Sequence, residues 1–174
     1  MDATTRFETE RVGALPVIAA YLEKMRLGDI IDEFVPWEGD VPLGTLVEVM
    51  ICNRLLNPKA QYKIGEWAEK SRVCEYFGVT QEQLNDDRLA RALDAIYPHL
   101  KEIWAEIAGR ALIRYRIDLS LVFYDLTAFY FEGEYKNSTR VTFGYSRKRK
   151  RKKQGKLALN VTARERFPFL YELL

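Results

Sequence analysis

The chain of 174 residues is poor in the residues that build disulfide and metal sites. It holds two cysteines, Cys52 and Cys74, and a single histidine, His99. The cysteines form neither a CxxC pair nor a disulfide framework, so we expect two core thiols in a reducing cytosol. His99 has no histidine or cysteine nearby in the sequence, which argues against zinc binding and against a catalytic role for it.

Long apolar runs are also missing. No stretch approaches the ~20 apolar residues that a membrane helix needs, and the first residues lack the basic and then apolar pattern of a signal peptide. Glycine-rich phosphate loops and the GxSxG and HExxH motifs are absent as well. These absences predict a soluble, cytoplasmic protein without a membrane partner.

What the chain does contain is enough apolar material for a folded core, since 48% of its residues are hydrophobic. Apolar residues recur at helical spacing over most of the first 116 residues. Proline, asparagine and glycine punctuate the pattern. It predicts helices over residues 15–27, 29–35, 43–56, 62–70, 71–77, 85–96 and 100–114.

Residues 84–89 have the composition of a helix start. Asn85 can cap the first turn, where the helix dipole favours the negative charges of Asp86 and Asp87. Leu84 and Leu89 occupy the two positions of a hydrophobic staple. We therefore interpret the paired aspartates as part of a helix start and only weakly as a site.

The pattern changes near residue 117, where β-branched and aromatic residues become frequent. Residues 119–131 are typical of a buried strand, and residues 156–162 and 167–174 of two more. Arg164, Glu165 and Arg166 are few enough for a hairpin turn. The fold class predicted is α+β, with a helical domain at 1–116 and three strands at 117–174. Such a sheet would expose its apolar faces, because no helices follow to cover them.

Asp125 lies in the middle of the first predicted strand. A carboxylate in an apolar run is costly unless it is paired, hydrogen-bonded or metal-bound. It is either an oxygen ligand for Mg²⁺ or an exposed aspartate on the open face of an edge strand, and the strand pattern leaves both open. One carboxylate cannot assemble a two-metal site. Glu132 and Glu134 belong to the strand end, where we expect them to face solvent.

A dense basic run is the second candidate site. Eight cations and no acids fall between residues 147 and 156, in a chain whose net charge is only +2. The run predicts phosphate-backbone contact or a solvated loop between strands, and a flexible basic loop can also become ordered on DNA. The residues are Arg147, Lys148, Arg149, Lys150, Arg151, Lys152, Lys153 and Lys156.

Several of these segments, in this order, resemble one group of insertion-sequence DDE transposases. Residues 84–94, LNDDRLARALD, look like the hallmark of that group's helical N-terminal domain, and residues 43–48 and 66–70 also look like parts of it. Other segments resemble the start of the RNase H-like catalytic domain: residues 124–127 its first strand, 144–147 the segment that follows, and 168–173 its third strand.

The resemblance implies that Asp125 is the first acid of the DDE triad and binds Mg²⁺ during DNA strand cleavage and joining. Two departures limit this. The chain stops before the family's second Asp and its Glu, and Lys148 stands where the family usually has an Asp.

We therefore expect the truncated N-terminal part of a transposase, inactive as this fragment, whose sheet is an incomplete RNase H-like one. The alternative is a non-enzymatic DNA-binding or regulatory protein derived from a transposase. Partners would be transposon-end DNA and either a second copy or a full-length transposase.

Overall fold

A computed structural model describes residues 12–131, 142–144 and 152–174. The chain divides into two compact units, the first ending at Ile107 and the second beginning at Ala108. The first is helical and the second contains the sheet, so the predicted α+β class is confirmed.

Seven α-helices fall within the described residues. The bounds are α1 Leu15–Met25, α2 Leu27–Phe34, α3 Leu43–Leu56, α4 Ile64–Lys70, α5 Val73–Phe77, α6 Asp86–Ile96 and α7 Leu100–Tyr115. Short 3₁₀ turns at Gln61–Lys63, Glu82–Leu84 and Tyr97–His99 precede α4, α6 and α7. The helix predicted over residues 15–27 is two residues too long, because Arg26 adopts a left-handed conformation (φ 54°) that ends α1.

The core of the helical unit is made of aliphatic side chains from α1 to α6, with Ile103 of α7. Both thiols are buried, as predicted, and burial raises the pKa of Cys52 and that of Cys74 to about 11. The largest apolar side chains that are fully buried are Leu15, Ile30, Leu43, Leu46, Leu84, Leu89, Val49 and Val73.

The start of α6 behaves as predicted. The Asn85 side chain accepts a hydrogen bond from the Arg88 backbone N–H at 2.9 Å, and Leu84 and Leu89 are buried on either side of this cap. The Arg88 guanidinium then reaches the Asp40 carboxylate at 2.7 Å and ties α6 to the loop before α3. This motif therefore has a structural role within the helical unit, because it connects α6 to the loop before α3.

Helices α2 and α3 cross in close contact. A Cβ on Gly44 would lie 2.4 Å from the Gly28 Cα, so glycine is required at this crossing. Each helix also caps the other: the Gly28 N–H donates to Glu48 of α3 at 3.0 Å, and the Gly44 N–H donates to Asp32 of α2 at 2.8 Å. Both amides lie in first helical turns, which lack intrahelical acceptors.

The second unit holds an antiparallel sheet of β1 Val122–Phe131, β2 Thr142–Gly144, β3 Lys152–Thr162 and β4 Pro168–Leu173. Strand β3 is central: β1 pairs with one side of it, and β2 and β4 pair with the other. The hairpin predicted between β3 and β4 is confirmed. The short strand β2 was not predicted, and β3 begins four residues earlier than expected, at Lys152.

Strand β1 differs from the prediction in its burial. Every residue from Phe123 to Tyr130 is exposed, including Tyr124 at 63%. The prediction of a buried strand is therefore wrong for β1, whereas the expectation of uncovered apolar faces holds. Side-chain composition indicated the strand itself, but burial depends on what packs against it.

Candidate nucleic-acid interface

Asp125 lies at the centre of β1, directly opposite Leu159 of β3, which in turn lies opposite Tyr171 of β4. Its side chain is exposed, and Oδ2 accepts a hydrogen bond from the Thr127 hydroxyl at 3.3 Å. Side chains alternate along a strand. Asp125 therefore shares a face with Phe123, Thr127 and Phe129, and we call this side of the sheet the Asp125 face.

The oxygen ligands around Asp125 are too few for a two-metal site. Among the described residues, no group of three or more His, Cys, Asp and Glu side chains is placed to hold a metal ion. Glu172 is the carboxylate of β4, but it pairs with Ala158 and so belongs to the opposite face. Glu132 and Glu134 lie outside the described residues. The residues present therefore do not fit the metal pair that phosphoryl-transfer chemistry uses.

The basic run is only partly described, because residues 147–151 lie outside the described ranges. Lys152 and Lys153 begin β3 and so are strand residues, not loop residues as expected. Lys153 pairs with Phe131 and Phe143, which places it on the Asp125 face. Lys156 pairs with Ala128 and lies on the opposite face. The strand thus divides these cations between the two sides of the sheet.

Aromatic rings accompany the cations on the Asp125 face. The Lys153 ammonium lies 5.7 Å from the centre of the Phe143 ring, which is 70% exposed. The Arg166 guanidinium lies 5.8 Å from the centre of the Phe123 ring. Cations stacked on exposed aromatic rings are suited to contacts with phosphates and bases.

Arg166 was predicted only as a residue of the hairpin turn and not as part of a candidate site. Its approach to Phe123 depends on the β1–β3 register and on the left-handed turn conformation of Arg166 (φ 58°). The local signal was the pair of arginines in a tight turn, which gives no information about the strand beside it.

A concave surface belongs to the helical unit. A groove of about 750 Å³ is lined mainly by residues of α1, α2, α3 and α5. Burial raises the pKa of Glu48 in this groove, although its bond from the Gly28 amide acts in the opposite direction. Arg26 binds Asp29 at 2.7 Å at its rim. The carboxylates of Asp32 and Glu48 accept hydrogen bonds from the backbone amides of Gly44 and Gly28. These two acids of the groove therefore have a structural role.

Comparison with known families identifies the helical unit. A family described as "Domain of unknown function (DUF4277)" matches residues 7–109. The chain belongs to the DUF4277 family. The match contains residues 84–94 and the α2–α3 crossing, and it ends before Asp125. The description of DUF4277 assigns no activity. Membership of the family therefore shows which proteins the chain is related to, but it does not indicate a reaction or a ligand.

Two further comparisons add no relative. No curated protein and no solved structure matches this DUF4277 chain. Among the described residues, none of the helices is both long and apolar enough to cross a membrane.

Proposed function

We propose that this chain is the N-terminal part of a DDE transposase and that it acts in DNA transposition in the cytoplasm. The observation that carries the proposal is the position of Asp125, at the centre of the first strand that follows a DUF4277 helical unit. The strands β1, β3 and β4 form an antiparallel meander. Such a meander is compatible with the first three strands of an RNase H-like domain.

The distribution of charge supports contact with DNA. Residues 1–107 contain 12 basic and 19 acidic residues, whereas residues 108–174 contain 15 basic and 6 acidic ones. The sheet-containing unit is therefore the cationic part of the chain. Cations that contact phosphates release counterions, which gives strong binding that depends little on sequence.

In this proposal Asp125 would contribute one oxygen ligand to Mg²⁺ in a complete active site, where the ion would stabilise negative charge during strand cleavage and transfer. Among the described strand residues, Asp125 is the only carboxylate on the Asp125 face. We therefore propose that the chain binds DNA without cutting it, and we assign no metal-dependent step to it.

The test measures binding to duplex DNA as a function of salt concentration. We expect log K to fall by ~0.9 for each phosphate neutralised. Replacing residues 147–153 with Gly and Ser should remove most of that slope. A smaller variant, with Lys152, Lys153 and Lys156 changed to Gln, should reduce the slope in part.

A matched control removes the same charge from the helical unit, through Gln at Lys59, Lys63 and Lys101. We expect the salt slope of this control to equal that of the wild type. The proposal would be contradicted if this control lost as much of its salt slope as the variant with Gln at Lys152, Lys153 and Lys156. The DNA contacts would then lie on the helical unit. A wild-type chain with no affinity for DNA at low salt would also contradict it.

A further inference from the structure

The outer edge of β1 has the features of a pairing surface. Over the ten residues Val122–Phe131 the strand pairs with β3 in one continuous register, without a bulge. In the part of the chain that the structure describes, β3 is its only strand partner. The strand contains one charged residue, Asp125, and no proline. A long, regular, apolar edge of this kind is a template for another strand.

The hydrogen-bond pattern between β1 and β3 determines which backbone groups of β1 point to the outer edge. The Ala163 N–H donates to the Leu121 carbonyl at 3.0 Å, and hydrogen-bonded positions alternate along an antiparallel pair. Odd-numbered residues of β1 therefore bond to β3. Even-numbered residues, among them Tyr124, Leu126 and Ala128, direct their N–H and C=O groups to the outer edge.

The sequence of β1 is close to mirror-symmetric about Thr127. Tyr124 and Tyr130 lie three residues to either side of it, and the apolar residues Leu126 and Ala128 lie one residue to either side. An antiparallel pair of identical strands centred on Thr127 therefore places tyrosine opposite tyrosine and leucine opposite alanine. Cross-strand pairs of aromatic and aliphatic side chains stabilise sheets.

We infer that a second copy of this chain pairs with the outer edge of β1, strand against antiparallel strand, with Thr127 on the twofold axis. The outward groups of Tyr124, Leu126, Ala128 and Tyr130 then meet their counterparts in the partner as hydrogen-bonded pairs. Thr127 faces its own copy at a non-hydrogen-bonded position. The pairing is isologous and closes at two copies.

Charge disfavours the registers that are centred closer to Asp125. Centring on Thr127 places Asp125 opposite Phe129 of the other copy, with the two Asp125 residues four positions apart along the seam, or ~13 Å. Centring on Leu126 would bring the two carboxylates to diagonal positions at ~7–8 Å. Centring on Asp125 would oppose them directly. The inference concerns the backbone edge of β1 and is independent of DNA binding.

Cysteine cross-linking tests the register in the full chain. Non-hydrogen-bonded partners have Cα atoms ~4.5 Å apart, within the range for a disulfide. We expect Thr127→Cys to give a covalent dimer under mild oxidation. The matched control, Leu126→Cys, should remain monomeric on a non-reducing gel, because its two copies lie on a diagonal. The native Cys52 and Cys74 are buried, so the wild-type chain serves as the uncrosslinked reference.

A second variant tests the edge itself. Ala128→Pro removes an N–H that points away from β3, so the fold should persist, while the outer edge loses a donor. We expect a dimer mass for the wild type by light scattering and a monomer mass for Ala128→Pro, with unchanged circular dichroism. A monomeric wild type, assemblies larger than two, or more efficient cross-linking of Leu126→Cys than of Thr127→Cys would overturn the inference.

Discussion

Glu48 is an acidic side chain half-buried between α2 and α3. Its carboxylate accepts the Gly28 N–H, an amide that the first turn of α2 cannot satisfy internally. Burial raises the pKa of Glu48 above its ordinary value of 4.5, and the nearby charges of Asp29 and Asp32 act in the same direction. The side chain is therefore useful as an acceptor, whereas its charge is unfavourable.

This conflict predicts a pH dependence of stability. Because the folded-state pKa is raised, the folded chain binds more protons than the unfolded chain between pH 4.5 and that pKa. The contribution of Glu48 to stability is thus full below pH 4.5 and is lost as pH rises through the folded pKa. Glu48→Gln keeps the acceptor and removes the charge. Its free energy of unfolding relative to wild type should rise over this window in urea titrations.

The control for that experiment is Glu48→Ala, which removes the acceptor as well. Leaving the Gly28 amide without a partner should cost about 1–3 kcal/mol at all pH values. Equal pH dependence of the wild type and Glu48→Gln would show that Glu48 titrates alike in the folded and unfolded chains.

At the scale of elements, the α2–α3 crossing depends on Gly44. A Cβ there would meet the Gly28 backbone at 2.4 Å, and backbone cannot move aside as a side chain can. Gly44→Ala should therefore lower the free energy of unfolding by about 3 kcal/mol, in the upper part of the range for overpacking. Denaturant unfolding monitored by circular dichroism measures this change.

Gly109 provides the matched control, since it also lies within a helix, α7, but none of the residues that the structure describes lies within 4 Å of a Cβ built there. Gly109→Ala should raise the free energy of unfolding by about 0.4–1 kcal/mol, because alanine loses less backbone entropy on folding. If both variants were equally stable, the close contact of α2 with α3 would be refuted.

The same crossing shows where sequence reasoning was limited. Helical periodicity predicted α3 with its bounds, and capping chemistry predicted the start of α6, because both signals are local. The helices predicted over residues 15–27 and 29–35 left Gly28 between them, yet Arg26 takes the left-handed position and Gly28 lies inside α2. Gly28 allows the close approach of Gly44, which lies 16 residues away in the sequence. The spacing of apolar residues within one helix does not predict a contact of this kind.

The Asp125 site was also predictable only in part. The strand and its acid were predictable from composition, and so was the hairpin that follows. The partners of Asp125 across the sheet were not, since the register between β1 and β3 sets them. The same register determines that Lys153 and Lys156 lie on opposite faces.

At the scale of the whole molecule, opposite charges are segregated along the chain, with −7 in residues 1–107 and +9 in residues 108–174. The cationic part also contains Asp125. We expect the purified chain to bind plasmid DNA and to leave it uncut in Mg²⁺, because the described residues contain no group of three or more His, Cys, Asp and Glu side chains placed to hold a metal ion.

Plasmid nicking followed on agarose gels checks this expectation, with Asp125→Asn as the paired variant. Both proteins should leave supercoiled DNA intact and should retain the same affinity for it. Mg²⁺-dependent nicking by the wild type that disappears in Asp125→Asn would mean that the chain assembles an active site of its own.

The reciprocal bonds between Gly28 and Glu48 and between Gly44 and Asp32 have a consequence for how the helical unit folds. Neither helix start has its own acceptor until the other helix is in place, so α2 and α3 gain their stability together. The two bonds span only 20 and 12 residues of chain. Such short closures cost little loop entropy, and we therefore expect this helix pair to form early in folding, before the remaining helices pack against it.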